Sequence, residues 1–201
     1  VDGTPLNTPL VDVDSPAKVA DYASKGLNVY LKDMDFDSTG HPVLLYVTSP
    51  GHEPGPPNDP RHFRITRWNG KAWLTSTVCP TDHNYDMGSL YLKDGAWRIF
   101  VPSASGPQPH HGGGELVIWE SNDQGASWSS VREVTSDSSR NHNYVRRPIN
   151  ARDPFYAFWA DGDPTKLSES RLYFGNADGT KVWELPYNMT TDWGEPNLVD
   201  P

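Results

Sequence analysis

The chain has 201 residues, a formal net charge of −9, 11% aromatic residues, 17 Gly and 19 Pro. Scattered Lys and Arg on an acidic chain disfavour nucleic acid as a partner, no apolar run approaches membrane-spanning length, and the single cysteine, Cys79, excludes an internal disulfide framework and a Cys-based zinc cluster. The composition suits an all-β domain with many tight turns, in which Cys79 is a buried apolar thiol.

In chain order, a first repeat opens with Leu27-Asn28-Val29-Tyr30-Leu31, turns at Asp37-Ser38-Thr39-Gly40 and continues through Pro42 to Val47. After a Gly/Pro-rich stretch from Pro50 to Pro60, alternation returns from His62 to Trp68, and Asn69-Gly70 supplies a two-residue hairpin into Lys71 to Leu74. The second repeat runs from Met87 to Leu92, through an Asp94-Gly95 turn to Trp97 to Val101, and across a Gly/Pro/His loop to Glu115 to Trp119. Its outer hairpin carries Ser121-Asn122-Asp123-Gln124-Gly125-Ala126-Ser127-Trp128. In such an octet Ser and Asp bond the turn backbone, Gly accepts positive φ and Trp packs between sheets, which makes it architectural. The third repeat covers Tyr144 to Arg146, Phe155 to Ala160, Ser170 to Phe174 and Lys181 to Leu185, leaving residues 1–26 and 186–201 irregular.

One tripeptide occurs twice, as His83-Asn84-Tyr85 and His142-Asn143-Tyr144. A period of about 60 residues with four strands per repeat predicts a β-propeller. The expected blades span about 27–78, 83–135 and 142–186 of one partial domain, 1–201, with partial blades at the ends. Three or four blades do not close a ring. Val1-Asp2-Gly3-Thr4-Pro5-Leu6 also resembles Ala177-Asp178-Gly179-Thr180-Lys181-Val182, a turn between outer strands, so the chain is expected to start inside a blade.

The loops that open on one propeller face carry most of the imidazoles: His52-Glu53, Asp82 to Asp86, Gln108-Pro109-His110-His111-Gly112-Gly113-Gly114-Glu115, Arg140 to Arg147, and Asp161-Gly162-Asp163. Imidazole beside phenol suits proton transfer, and the planar guanidinium of Arg146 or Arg147 suits a carboxylate. Together they suggest β-elimination on a uronic acid, with His83, His142 and Tyr144 as catalytic candidates. Arg146, Arg147, Asn84, Asn143, Tyr85, His110 and His111 are then the substrate-binding candidates. The plainer alternative has His and Asn satisfying backbone groups in tight loops and Tyr filling the core. Adjacent His110 and His111 point apart, so they predict a mobile or solvated loop before a metal site. Asp161 and Asp163 offer calcium as the alternative to no cofactor. Asp35, Asp37, Asp82, Asp86, Asp161 and Glu169 include candidates for the carboxylate pair of a glycosidase, the rival chemistry. Trp68, Trp97, Trp119, Trp159 and Trp193 are candidate sugar platforms, most of them expected in the core.

The octet, the repeated tripeptide, and the stretch from Asn141 to Asn150 followed by Phe155-Tyr156-Ala157-Phe158-Trp159-Ala160-Asp161-Gly162 together resemble the BNR (Asp-box) repeat family of carbohydrate-active propellers. That family includes ulvan lyases and enzymes that remove rhamnose from glucuronate. The resemblance implies half of a seven-bladed propeller of roughly twice this length, secreted or periplasmic, acting on a polysaccharide. It implies a partner in the amino-terminal half, on the same or a companion chain, which supplies several of the reacting groups. It leaves three functions open: a lyase for a rhamnose–glucuronate linkage, a rhamnosidase-like hydrolase, and a glycan-binding propeller without catalysis.

Overall fold

The structure, a computed structural model, describes residues 5–6, 8–15, 17–93 and 95–199. Runs rich in β-branched and aromatic residues, bounded by turn residues, fold into three antiparallel sheets. The first contains β1 (Asn28–Phe36), β2 (Pro42–Ser49), β3 (Arg61–Trp68) and β4 (Trp73–Thr81). The second contains β5 (Ser89–Lys93), β6 (Ala96–Ala104), β7 (Glu115–Ser121) and β8 (Ser129–Glu133). The third contains β9 (Asn141–Arg146), β10 (Ala157–Gly162), β11 (Leu172–Gly175), β12 (Val182–Glu184) and β13 (Asn197–Val199). Each sheet is a meander in chain order, and helix among the described residues is limited to two 3-10 turns, Ala23–Lys25 and Pro56–Asn58.

Two differences from the sequence reading stand out. The segment after residue 186 contributes β13, whose Leu198 pairs with Trp183, so the free edge of β12 is covered and the third sheet has five strands. The strand expected from Phe155 begins at Ala157, because Phe155 is used in a bridge to Arg152. The reading of the opening residues as a turn rests on Val1 to Thr4, which with Asp94 of the Asp94-Gly95 turn lie outside the described residues.

The second sheet is buried on both faces. Toward the first sheet, Leu90, Trp97, Ile99 and Val101 pack with Val43, Leu45, Val47, Phe63, Ile65, Val78 and Cys79. Toward the third, Tyr91, Phe100, Leu116, Ile118 and Val134 pack with Val145, Ala157, Trp159, Tyr173 and Val182. Each large apolar side chain so buried stabilises the stack by about 1.5–3 kcal/mol before chain entropy is counted. The Ser121 to Trp128 turn locks the first interface. Asp123 Oδ1 accepts the Ser127 and Ala126 amides at 2.9 and 3.0 Å, and Ser121 Oγ accepts the Gly125 amide at 2.7 Å. These hydrogen bonds, led by the one from the Ser127 hydroxyl, hold the Asp123 carboxyl far below the usual range. Gly125 is required twice over: its φ is +82°, and a Cβ there would lie 2.8 Å from the Trp97 ring.

Polar pins cross between sheets at the end where the repeated tripeptides sit. Asn84 Nδ2 donates to the Gly51 and His52 carbonyls at 3.0 and 3.1 Å, and its Oδ1 accepts from Arg61 Nε at 3.1 Å. Asn143 acts alike one sheet further on, accepting the Met87 amide at 2.9 Å and donating to the Tyr85 carbonyl at 3.3 Å. Both asparagines are buried, and each ties its own segment to the preceding sheet.

Candidate active site

The pinned tripeptides set their tyrosines free. Tyr85 is 61% exposed and Tyr144 57% exposed, while Asn84 and Asn143 beside them are buried. Tyr144 adopts φ +59°, a left-handed conformation unusual for a bulky residue. The pairing of β9 with β10 is irregular at the same place, between Phe158 and Ala160. His83, Tyr85, Asn143 and Tyr144 line one cleft of about 500 Å³, with Gly112 on one side and the Asp163 to Ser170 loop on the other. That volume lies within the range of ligand sites.

His83 is half-buried, and its ring leans on Tyr85 at 5.6 Å. Its Nδ1 accepts the Tyr85 amide at 3.1 Å, so the neutral ring carries its proton on Nε2 and presents a donor. Burial is the largest cause of a lowered His83 pKa, which keeps the ring neutral near pH 7.

His142 has a different fate. It is buried, Trp159 Nε1 donates to its Nδ1 at 3.0 Å, and its Nε2 lies 3.0 Å from Ser138 Oγ. Ser138 in turn donates to Glu115 Oε2 at 2.8 Å. The Trp159 bond fixes the tautomer, the proton on Nε2 points to Ser138, and both nitrogens are occupied away from the cleft that holds the tyrosines. Desolvation lowers the His142 pKa and holds it neutral.

The two arginines part company. Arg146 is exposed beside Tyr144 on β9, and its charge reaches Lys32. Arg147 is ion-paired with Asp35 and lies over the Tyr91 ring at 6.0 Å, in a separate cleft with Lys93 and Pro148. Arg147, one residue past the end of β9, lines that separate cleft and does not line the tyrosine cleft.

Lys32 was missed in the sequence, where a charge on a strand reads as solvent-facing. Its Nζ donates to the Asn84 carbonyl and approaches Met87 Sδ at 3.8 Å, beneath the first tripeptide. Burial brings its pKa down to about 8. The bulge between Leu31 and Asp33 breaks the alternation that would have placed it.

The His110 to Gly114 loop packs over the same end. His110 has φ +62°, its amide donates to Asp82 Oδ2 at 2.8 Å, and its buried Nδ1 has no hydrogen-bond partner among the described residues; His111 is exposed. Gly113 is obligatory, since φ is +94° and a Cβ would meet the His142 carbonyl at 2.6 Å. Its amide donates to Asp86 Oδ1 at 2.6 Å.

The carboxylates considered for a glycosidase pair are spent elsewhere. Asp35 pairs with Arg147, Asp37 caps its turn through Thr39 and His41, Asp82 takes the His110 amide, and Glu169 pairs with Arg171. Asp161 accepts from Arg140 at 2.7 Å and from Tyr173 at 3.1 Å, and Asp163 from the Thr165 amide at 2.9 Å. The Asp161 and Asp163 carboxylates are thus engaged by donors where calcium was the alternative, and no group of three metal-ligating side chains occurs among the described residues. Of the tryptophans, Trp68, Trp97 and Trp159 are core, Trp119 is half-buried, and Trp193 is 70% exposed, away from the cleft lining.

Burial pushes the Asp86 carboxyl up to about 8, against hydrogen bonds from Thr81 and the Gly113 amide. A folded pKa above the unfolded value, about 3.9, means stability that is full at low pH and lost as pH rises through the folded pKa. Between pH 5 and 8, the urea midpoint of Asp86→Asn is therefore expected to climb relative to wild type. The lowered pKa values of His83 and His142 are not set by Asp86, so those rings cancel in the difference, whereas Lys32 interacts with Asp86 by charge and belongs to the same linkage. A flat difference would show that Asp86 is ionised across that range.

No family model matches this sequence. No curated protein matches it either. Among solved structures, the chain is similar to one described as a new family of polysaccharide lyase, PL25 ulvan lyase, bound to -[GlcA(1-4)Rha3S]-, with TM-score 0.55 and 19% identity over 75% of this chain. A second structure of PL25 ulvan lyase gives TM-score 0.55 and 18% identity over 75% of this chain. A protein of unknown function from Dyadobacter fermentans gives TM-score 0.47 and 13% identity, over 85% of this chain and 41% of that one. The likeness to the lyase is one of fold, and the chain spans 33% of the lyase's length. No helix among the described residues is long and apolar enough to cross a membrane.

Proposed function

We propose that the three sheets are blades of a larger β-propeller, in a secreted polysaccharide lyase that cleaves a uronate-containing glycan of the rhamnose–glucuronate type by β-elimination. The observation that carries this reading is the exposed, left-handed Tyr144 in a cleft with Tyr85 and His83, and with Arg146 on its own strand. A sharing of fold with a polysaccharide lyase supports it. The strained backbone at a cleft residue supports it further, because strain persists where a side chain must be aimed.

In this reading the uronate carboxylate lies between the Arg146 guanidinium and the His83 Nε2 donor, with the Lys32 charge beneath. These groups stabilise the enolate that forms when the proton on C5 leaves. Tyr144, reacting as phenolate, accepts that proton. The electron pair forms the C4–C5 double bond as the bond from C4 to the glycosidic oxygen breaks, and Tyr144 returns the proton to the departing oxygen. No net proton is consumed, and the product is an unsaturated uronate. Tyr85 and Asn143 line the sugar, Asn84 holds the turn, and His142 positions β9.

The test is ultraviolet absorbance of the unsaturated uronate when the protein is mixed with uronate-rich polysaccharides such as ulvan and arabinogalactan. A rising signal supports elimination. Release of saturated sugar, one water heavier, would replace it with hydrolysis. Binding without product would favour a glycan-binding propeller, a reading to which the burial of His142 lends itself. The separation of the arginines gives a sharper expectation. Arg146→Ala should raise KM and lower kcat, whereas Arg147→Ala should leave both within about twofold. Equal losses in both variants would contradict the placement of Arg147 outside the site.

A further inference from the structure

A cleft of about 410 Å³ opens between the second and third sheets at the start of β10, whereas the tyrosine cleft lies at the end of that strand, and no residue lines both. The β5–β6 hairpin brings Lys93 and Arg98 to it, and the segment before β10 brings Arg152 and Asp153. Three cations thus stand with one carboxylate around a single cavity, on a chain whose net charge is −9. Two of these cations are held by contacts that leave donors over. Arg98 Nε donates to Glu120 at 2.7 Å and its Nη1 to the Ala177 carbonyl at 3.2 Å, with Nη2 uncommitted among the described residues. Lys93 Nζ donates to the Ala151 carbonyl at 3.2 Å and lies over the Tyr156 ring at 5.5 Å, and an ammonium has three donors to give. The third, the Arg152 guanidinium, is exposed and has no hydrogen-bond or ion-pair partner among the described residues, although its backbone is anchored by its amide bond to the Phe155 carbonyl. Of the acidic groups nearby, Glu120 stands outside the cleft wall, and Asp153 spends its Oδ1 on the Ala177 amide at 2.7 Å. Tyr91 and Tyr156, stacked at 4.4 Å, form the floor, and the Arg147 that lies over Tyr91 is already paired with Asp35.

We propose that this cleft binds a phosphate monoester, whose three terminal oxygens take the remaining donors of Lys93, Arg98 and Arg152. Like charges gathered around one cavity repel one another, and an anion between them reverses the sign of that interaction. A phosphate monoester carries about −1.5 to −2 charges at pH 7 and three strong acceptor oxygens. A carboxylate has one charge and two oxygens, and a sulfate ester has three oxygens but one charge, so both match three converging cations less well. The cleft volume is that of a small-molecule site and exceeds the need of a bare ion, which leaves room for the organic body of the ester against Ala96 and Ala177. Because Arg98 and Lys93 are positioned before a ligand arrives, little side-chain freedom remains to be lost on binding. A ligand held this way ties the β5–β6 hairpin to the segment before β10 and stabilises the junction of the second and third sheets. The site stands apart from the lyase reading, since no group of the proposed elimination lines it.

The test is calorimetric titration of the full chain at fixed ionic strength, with phenyl phosphate, phenyl sulfate, inorganic phosphate and benzyl alcohol as probes. Phenyl phosphate is expected to saturate one site and to raise the melting temperature, with phenyl sulfate at least about tenfold weaker and benzyl alcohol giving no binding. Lys93 and Arg152 are exposed, so Lys93→Gln and Arg152→Gln are expected to leave the unliganded melting temperature unchanged. Each should weaken phenyl phosphate about tenfold, since each removes one charge-assisted hydrogen bond. Absence of saturable binding by wild type overturns the proposal, as does phenyl phosphate binding that survives both substitutions. Equal affinity for phenyl sulfate would reduce the cleft to an unselective anion patch and overturn its assignment to phosphate. Inorganic phosphate that binds as tightly as the phenyl ester would overturn the monoester in favour of the free ion.

Discussion

Tyr144→Phe is expected to lower kcat for elimination about 10³-fold with KM within about twofold, because the phenol acts only as the proton moves and general acid–base groups contribute about 10²–10⁴. Phenylalanine keeps the ring, the backbone strain and the β9 pairing, so its melting temperature should match wild type. Tyr144→Gly separates the two roles of the position. A bulky residue held at φ +59° costs about 1–3 kcal/mol that glycine does not pay. The glycine variant should therefore be the more stable protein and an inactive one. Tyr85→Phe removes a hydroxyl that lines the sugar and is expected to act mainly on KM. Full turnover by Tyr144→Phe in the ultraviolet assay would end the proton-transfer role of this residue and move the search to Tyr85.

The parts of the molecule that were legible in the sequence are those decided within a few residues. Asn69-Gly70 marks a hairpin, although the strands meet at Trp68 and Trp73 and not across two residues: Asn69 Oδ1 caps the Lys71 and Ala72 amides, at 2.9 and 2.8 Å, and Gly70 takes φ +90°. The Ser121 to Trp128 octet closes on itself in the same way. The histidines of the repeated tripeptide were not legible to that depth. Each is followed by Asn-Tyr, and what separates them is a partner from a different strand, met by one of the two only. His142 meets Trp159 and Ser138, whereas His83 meets the amide of Tyr85 and faces the cleft. Arg146 and Arg147 were offered as interchangeable candidates for one clamp although successive strand residues point apart, and Arg147 found its partner in Asp35, more than one sheet away. Lys32 was hidden by a bulge, and β13 by its brevity: Asn197-Leu198-Val199 is too short to show a period.

The largest expected loss of stability comes from Trp159, and it bears on which histidine does chemistry. Trp159 is 1% exposed, stacks on Tyr173 at 5.9 Å and fills the interface between the second and third sheets. Trp159→Ala should cost about 3–5 kcal/mol, a fall in melting temperature on the order of 10 °C for a chain of this size. Trp159→Phe keeps most of the packing but withdraws the donor from His142 Nδ1, which then sits buried and unsatisfied at a cost of about 1–3 kcal/mol. A double-mutant cycle with His142→Ala should return a coupling of about 1 kcal/mol. The same variants give kinetics. With His142 as a positioning residue, Trp159→Phe lowers activity only as far as it unfolds the protein, and well below the melting temperature kcat stays near wild type. His142→Gln, which can accept from Trp159 and donate to Ser138, should recover stability and rate together. If His142 instead moved the substrate proton, releasing its Nδ1 would change the pH profile of kcat and His142→Gln would rescue folding without rescuing turnover. The burial of His142, against the exposure of Tyr144 two residues on, favours the first outcome.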